Sequence, residues 1–385
     1  MQKYRPERIL IEESVLRETT TLRVLNTLSG IPVEIIPSTE ALIAAYQNSK
    51  AEGAASFTSS KKILLLAEQK GSFIKKCPGQ QSRGDSRNVC CDYFVINAVS
   101  NCHMECSYCY LQGYLNFPYM IVYANTSKLL KELATTFESH PELLFRTGTG
   151  ELADSLALDW ITGYSEVLVD FFSRQKNAVL ELKTKSDCIE NLPGLCHNGR
   201  TAVAWSLNPP KIVKTEELYT ATLEERLSAA SRCVEAGYPV AFHFDPLVDY
   251  PGWQDGYESV VKNILKYVPA DRIAWISLGA LRMTPELYEN MRKRFPLSPL
   301  PLGELLPSAD GKLRYFKAIR IQMYRKMIEW IKKYGGEIPV YLCMERPDVW
   351  KKIFNQEPPE WNEINDDLVR GMLEIKDPVD FSNQD

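Results

Sequence analysis

Cys102, Cys106 and Cys109 lie on one short run, Ser100-Asn101-Cys102-His103-Met104-Glu105-Cys106-Ser107-Tyr108-Cys109-Tyr110. Cys-x3-Cys-x2-Cys spacing gathers three thiolates on a single loop, enough to hold three corners of an iron–sulfur cube. A [4Fe–4S] cluster ordinarily takes four cysteines. Three with no obvious fourth leave one iron open to bind something other than protein, and chemistry would happen there. The competing readings are a chance grouping among ten cysteines and a structural zinc site short of one ligand.

The spacing, with an aromatic residue before the third cysteine, resembles that of the radical S-adenosylmethionine superfamily. A longer stretch narrows the likeness. Cys102 to Tyr110, followed by Leu111-Gln112, Pro118-Tyr119 and Val122-Tyr123-Ala124-Asn125, is similar to the cluster loop of the spore photoproduct lyase (SplB-like) family. The similarity covers most of the chain, with this loop as its one highly specific part. The resemblance implies a [4Fe–4S] cluster on Cys102, Cys106 and Cys109, with S-adenosylmethionine cleaved reductively at the open iron to give a 5′-deoxyadenosyl radical. It also implies a thymine lesion in DNA as substrate and an electron donor such as flavodoxin or ferredoxin.

The elements that must position such a loop follow from periodicity. With 385 residues, 45% of them apolar, the chain has material for one enzyme-sized unit and a smaller appended part. The start, Met1-Gln2-Lys3-Tyr4-Arg5-Pro6-Glu7-Arg8, is charged and no run of 18 apolar residues occurs. The expectation is therefore a cytoplasmic protein with no membrane segment, whose cysteines are thiols or metal ligands. From residue 90 onward, short β-rich runs alternate with helical patterns, as in parallel βα units. Six strands are expected: Tyr93–Ala98, Leu143–Arg146, Val179–Leu182, Ala202–Trp205, Val240–Phe244 and Ile273–Leu278. Helices are expected at Ser127–Ser139, Trp160–Arg174, Leu223–Ala236, Gly256–Tyr267 and Pro285–Arg294. The predicted fold is α/β, a partial (β/α)6 barrel over 89–300. A small α/β lead-in occupies 1–88, with strands Ile9–Ile11, Val33–Ile36 and Ile63–Leu66 and a helix near Thr39–Gln47. A C-terminal helical extension, with a basic helix, a strand and a polar tail after about Lys376, fills 301–385. Gly79 to Arg87 reads as an exposed loop or boundary.

In a β/α barrel the reactive groups sit at the C-terminal strand ends, and the polar motifs fall there. Gly148-Thr149-Gly150-Glu151 follows the second strand and resembles the superfamily motif that contacts the methionyl amine of S-adenosylmethionine; a strand-end glycine pair is also simply a turn. Lys185 and Ser206, after the third and fourth strands, match positions that in the lyases bind the methionine carboxylate and neighbouring polar atoms. Asn208 is a candidate for the ribose hydroxyls. Each also reads as a plain exposed strand-end residue. The lyases carry tyrosines at the positions of Tyr108 and Tyr110, where they are implicated in returning the radical to the cofactor; packing on the adenine is a plainer role for Tyr108.

One departure is serious. The lyases place a cysteine hydrogen-atom donor after the second strand, and an ungapped alignment from Arg146 puts Glu151 there. Glutamate cannot donate a hydrogen atom to a thymine radical, so either another thiol serves or the substrate differs. Cys77, Cys90 and Cys91 are the nearest candidates and form a possible second thiol or metal site; they also read as ordinary reduced cysteines. His243 and Asp245, in His243-Phe244-Asp245-Pro246 after the fifth strand, are possible substrate contacts. The net charge of −4 gives no global nucleic-acid signature. Lys312 to Lys333, with Arg314 and Arg320, reads as a basic helix with Phe316, Ile319, Met323, Met327 and Trp330 on its apolar side. Its charged face suits phosphates, or is merely a solvated surface. Two alternatives to lesion repair stand: a radical enzyme with another substrate, and a non-enzymatic metal protein that binds nucleic acid.

Overall fold

Six of the strands expected from the sequence form, in chain order, adjacent members of one sheet. The structure is a computed structural model describing residues 3–51, 57–77, 88–115, 117–360 and 362–375. The expected loop from Gly79 to Arg87 and the tail beyond Lys376 lie outside the described residues. The sheet runs Phe94–Ile96, Phe145–Gly148, Ala178–Thr184, Thr201–Ser206, Val240–Leu247, Ile273–Ala280 and Val340–Leu342, all parallel, with Ile74–Lys76 antiparallel at the first edge. These are called below the first to seventh barrel strands and the edge strand. The edge strand was not expected, because a three-residue run carries little periodicity, whereas Val340–Leu342 falls in the segment 301–385, where a strand was expected without bounds.

Thr201–Ser206 and Ile273–Ala280 are buried at every position, as parallel strands covered on both faces must be. Helices Thr126–Ser139, Tyr164–Ser173, Leu223–Glu235 and Trp253–Tyr267 connect the strands. Thr222 and Glu225 close a full capping box at the start of Leu223–Glu235, which fixes where that helix begins and so where Arg226 points. The curled sheet is stitched across its seam. Val89, just before the first strand, bridges Glu345, just after the seventh, with Val89 N donating to Glu345 O at 2.8 Å.

The lead-in forms a second sheet in the order Val33–Ile36, Arg8–Glu12, Ile63–Ala67, Met120–Tyr123, Val99–Ser100. Strands are thus exchanged across the boundary expected near residue 88. The exchange matters for the site, because Val99–Ser100 and Met120–Tyr123 are neighbours and the three-cysteine loop is the excursion between them. The lead-in, in whose first 70 or so residues the sequence shows no chemistry, is the anchor of that loop.

The basic segment differs from expectation. The helix is Lys317–Gly335, while Leu313–Tyr315 is the central strand of a small antiparallel sheet with Arg282–Met283 and Leu305–Pro307. Met323, Met327 and Trp330 are buried as expected, but Phe316 precedes the helix and is half exposed. Arg314 and Arg320 do not line an outer face: each is buried on a carboxylate, Arg314 on Asp310 at 2.5 Å and Arg320 on Glu345 at 3.0 Å. Lys317, Lys326 and Lys333 pair with Asp348, Glu329 and Glu258. Most of the charge available to a phosphate is thereby matched within the protein. Among the described residues no helix is long and apolar enough to cross a membrane.

Candidate active site

The cysteine loop is held from several sides. Asn101 adopts φ +76°, its Nδ2 donates to Pro118 O at 2.6 Å and its Oδ1 accepts from Cys102 N at 2.8 Å. Asn tolerates this left-handed conformation better than most residues. Glu105–Cys106 pairs antiparallel with Glu217–Leu218, laying the loop beside the segment after the fourth strand. Lys61 of the lead-in donates to Met104 O at 2.7 Å and pairs with the buried Glu105 at 3.1 Å. Burial pushes the Cys102 thiol up to about 12 and Cys106 well above its ordinary value, so a cation must be present before these sulfurs become thiolates. Among the described residues no three or more His, Cys, Asp or Glu side chains close around a single ion. The corners of a cube are spread more widely than the ligands of one ion, so the loop fits a cluster better than a lone zinc.

Behind the loop lies a buried polar knot that sequence reasoning missed. Glu217 accepts from Tyr108 OH, from Asn208 Nδ2 at 2.9 Å and from Arg226 Nη2 at 2.6 Å. Arg226 also donates to Ser206 O at 2.8 Å, Ala221 O at 2.9 Å and Thr220 Oγ1 at 2.7 Å. Both members of the pair are fully buried. Burial alone would raise the Glu217 carboxyl, but the charges of Arg226 and Lys185 overcome it and hold the group at about 2. Tyr108, pushed upward by burial and by Glu217, stays a neutral donor. Asn208 does not fit a ribose contact: it is buried, Nδ2 is taken by Glu217 and Oδ1 accepts from Tyr257 OH at 2.7 Å. It positions Tyr108 instead.

Lys185 does face the loop, its Nζ 5.8 Å from the centre of the Tyr108 ring. Asp154 sets its backbone, accepting from Lys185 N at 2.7 Å and from Thr184 Oγ1 at 2.6 Å, and so ties the Gly148–Glu151 turn to the third strand. Ser206 is buried at the end of the fourth strand. Gly148 and Gly150 have packing reasons of their own. A Cβ at Gly148 would stand 1.8 Å from Tyr93 Oη and 2.5 Å from Glu181 O, and one at Gly150 2.9 Å from Lys183 Cβ. Tyr110 presents an exposed ring while its hydroxyl turns in to donate to Glu151 O.

Inside the barrel, charged side chains from different strands meet. Arg146 of the second strand reaches Glu181 of the third at 3.1 Å, and Glu181 meets His243 Nε2 of the fifth at 2.5 Å. Burial lowers the pKa of His243 against the pull of Glu181, so a neutral imidazole donating from Nε2 is the form the site favours. Burial would raise Glu181, but the charge of Arg146 and the hydrogen bond from His243 hold it below the usual carboxylate range. His243 thus points at Glu181 within the barrel. Asp245 is engaged bidentately by Arg282, both contacts at 3.0 Å. Asp245-Pro246 is part of the fifth strand, Val240–Leu247. Cys77, Cys90 and Cys91 come together, Cys90 in contact with both others, and a cysteine the sequence reading passed over, Cys343, stands near Cys77 and Cys91. The Cys91 thiol is lowered to about 6 by the hydrogen bond from Cys90, with help from Arg146 and against burial.

A curled parallel sheet with a three-cysteine loop at the strand ends is the architecture of the radical S-adenosylmethionine enzymes. The family model for spore photoproduct lyase matches residues 82–318, more than half of the chain, and the protein belongs to that family. It is 26% identical over 214 residues to the spore photoproduct lyase of Bacillus subtilis, covering 55% of this chain and 63% of that one. With the Clostridium acetobutylicum lyase it shares 25% over 226 residues, 58% and 65% of the two chains. The matches thus span less than two thirds of these relatives. A solved spore photoproduct lyase complexed with dinucleoside spore photoproduct superposes with a TM-score of 0.74 at 19% identity, over 89% of this chain and all of that one. A mutant lyase with bound AdoMet and dinucleoside spore photoproduct gives 0.74 at 18%, with the same coverage. At these identities the superpositions establish the fold.

Proposed function

We propose that this protein is a radical S-adenosylmethionine enzyme that repairs a thymine lesion of the spore photoproduct type in DNA. The observation that carries the reading is the loop of Cys102, Cys106 and Cys109, held at the barrel mouth within reach of Lys185, in a chain of this family. These three cysteines would hold a [4Fe–4S] cluster. When bound, such a cluster supplies the electron that splits S-adenosylmethionine into methionine and a 5′-deoxyadenosyl radical. The ammonium of Lys185 is placed to receive the methionine carboxylate, and the backbone of Gly148–Glu151 to accept from the methionyl amine. Ser206 lies beside this position. The locked Tyr108 ring makes a flat wall for the adenine, and Tyr110, partly open to solvent with its hydroxyl on Glu151 O, is the phenol for radical return. His243, Asp245, Arg314 and Arg320 are tied to partners of their own and act as supports of the barrel and its flanking sheet. A small electron-carrying protein such as flavodoxin or ferredoxin would deliver the electron in the cytoplasm.

Glu151 favours a second reading, the same radical chemistry on another substrate, because a carboxylate there cannot return a hydrogen atom. One assay separates them. Reconstituted protein is reduced with dithionite under anaerobic conditions and given S-adenosylmethionine with dinucleoside spore photoproduct. Joint appearance of repaired dithymidine and 5′-deoxyadenosine is expected. 5′-Deoxyadenosine without repair selects the second reading, and absence of both overturns the enzyme, leaving a metal protein that binds nucleic acid.

A further inference from the structure

Seven cysteines lie outside the three-cysteine loop, and their distribution is uneven. Cys188, Cys196 and Cys233 are scattered, while Cys77, Cys90, Cys91 and Cys343 converge on the seam of the barrel from three separate segments. Cys77 follows the edge strand, its N donating to Tyr93 O at 2.9 Å. Cys90 and Cys91 lie between the Val89–Glu345 bridge and the first strand. Cys343 follows the seventh strand, its N donating to Leu278 O at 2.8 Å. The Cys90 side chain touches those of Cys77 and Cys91, Cys91 meets Tyr341, and Cys343 Sγ lies 3.5 Å from Arg282 Nη2. All are free thiols.

Beside them is a cation whose donors are only partly used: Arg146 gives Nη1 to Glu181 at 3.1 Å. Arg146 is 1% exposed, and its Nε and Nη2 find no partner in the protein. Its guanidinium lies 5.0 Å from the Tyr93 ring and 5.5 Å from the Tyr341 ring, with Cys91 among its neighbours. Buried guanidinium donors left over in this way call for an anionic group. A polythiolate metal centre is such a group, because each ligated cysteine is a thiolate.

We propose that Cys77, Cys90, Cys91 and Cys343 hold a second, thiolate-ligated metal centre at the barrel seam, with Arg146 balancing its charge. The centre takes an iron–sulfur unit, because no three or more His, Cys, Asp or Glu among the described residues close around a single ion and the corners of a cube are spread more widely, and it clamps the first and seventh strands where the open barrel would otherwise part. It is separate from the Cys102, Cys106 and Cys109 site and stands whether or not that site works on DNA. Tyr110, which has both Cys77 and Cys109 among its neighbours, is the side chain between the two.

The test uses the full chain with Cys102, Cys106 and Cys109 all changed to Ala, purified anaerobically, and iron and sulfide content measured before and after reconstitution with iron and sulfide. Retention of about four iron per chain is expected. Adding Cys90→Ser and Cys343→Ser should remove that metal. A metal-free triple variant after reconstitution overturns the proposal, as does metal that survives the added substitutions. In the converse variant, Cys90→Ser/Cys343→Ser with the loop intact, iron at the loop and 5′-deoxyadenosine formation persist; their loss with the seam metal still bound would also overturn the assignment. Circular dichroism of each variant shows that the chain measured is folded.

Discussion

Replacing Arg226 by Met strips the buried Glu217 carboxylate of its strongest partner and tests how the Tyr108 wall is built. Four donations end, to Glu217, Ser206 O, Ala221 O and Thr220 Oγ1. The carboxylate keeps only Tyr108 OH and Asn208 Nδ2. Breaking a fully buried pair from one side costs about 3–5 kcal/mol, because the remaining charge is stranded. The depressed Glu217 carboxyl gives a second figure of the same order. A carboxyl held at about 2 in the fold, against 4.5 in the unfolded chain, contributes about 3 kcal/mol at neutral pH. Because the folded value is the depressed one, this stability is present above about pH 4.5 and is lost as the pH falls toward 2. Thermal unfolding of Arg226→Met at pH 7 should therefore come roughly 5 °C below the parent, and the gap should narrow below pH 4 as Glu217 is protonated. The double variant Arg226→Met/Glu217→Gln, which removes the stranded charge, should regain at least half of the loss. A single-variant cost under about 1 kcal/mol, or a double variant no more stable than the single, refutes the argument that this pair is a charge buried for position.

Three further outcomes follow from other parts of the site. Gly148→Ala should yield chain that does not fold stably, since the new methyl meets both Tyr93 Oη and the backbone Glu181 O; adding Tyr93→Phe should rescue little, because the carbonyl remains, and a parent-like melting curve for either variant would contradict the packing. Lys185→Met should weaken S-adenosylmethionine binding in calorimetry by about 10–100-fold, the worth of a hydrogen bond to a charged group, without moving the melting temperature by more than about a degree; unchanged affinity removes Lys185 from the carboxylate. Burial depresses His243, so the protein is at full strength in this respect above pH 6.5 and weakens as the pH drops through the folded value. Nitrogen NMR at pH 6 should show a neutral imidazole protonated at Nε2, and an imidazolium signal there would reverse the assignment.

How much of this was legible in the sequence depended on whether a signal was local. The three-cysteine loop announces itself because all its ligands lie on one turn, and the six barrel strands because each is a run of β-branched and aliphatic residues bounded by helical patterns. The supports of the site have no such signature. Glu217 and Arg226 are nine residues apart on either side of a helix start, and only the fold brings both onto Tyr108; the one local hint was the Thr222–Glu225 capping box, which fixes the first turn that carries Arg226. Arg146, Glu181 and His243 come from three strands, each polar residue an odd member of an apolar run. Such interruptions in strands buried on both faces should be taken as interior charges seeking one another, since burial without a partner is too costly. Arg314 and Arg320 failed in the opposite direction. Their spacing among basic neighbours suggested a surface stripe, yet Asp310 and Glu345, four residues before and twenty-five after, draw them inward. Cys343 shows the limit most plainly: its place near Cys91 exists only because the sheet curls until its seventh strand returns to the first, a closure that no window along the chain contains.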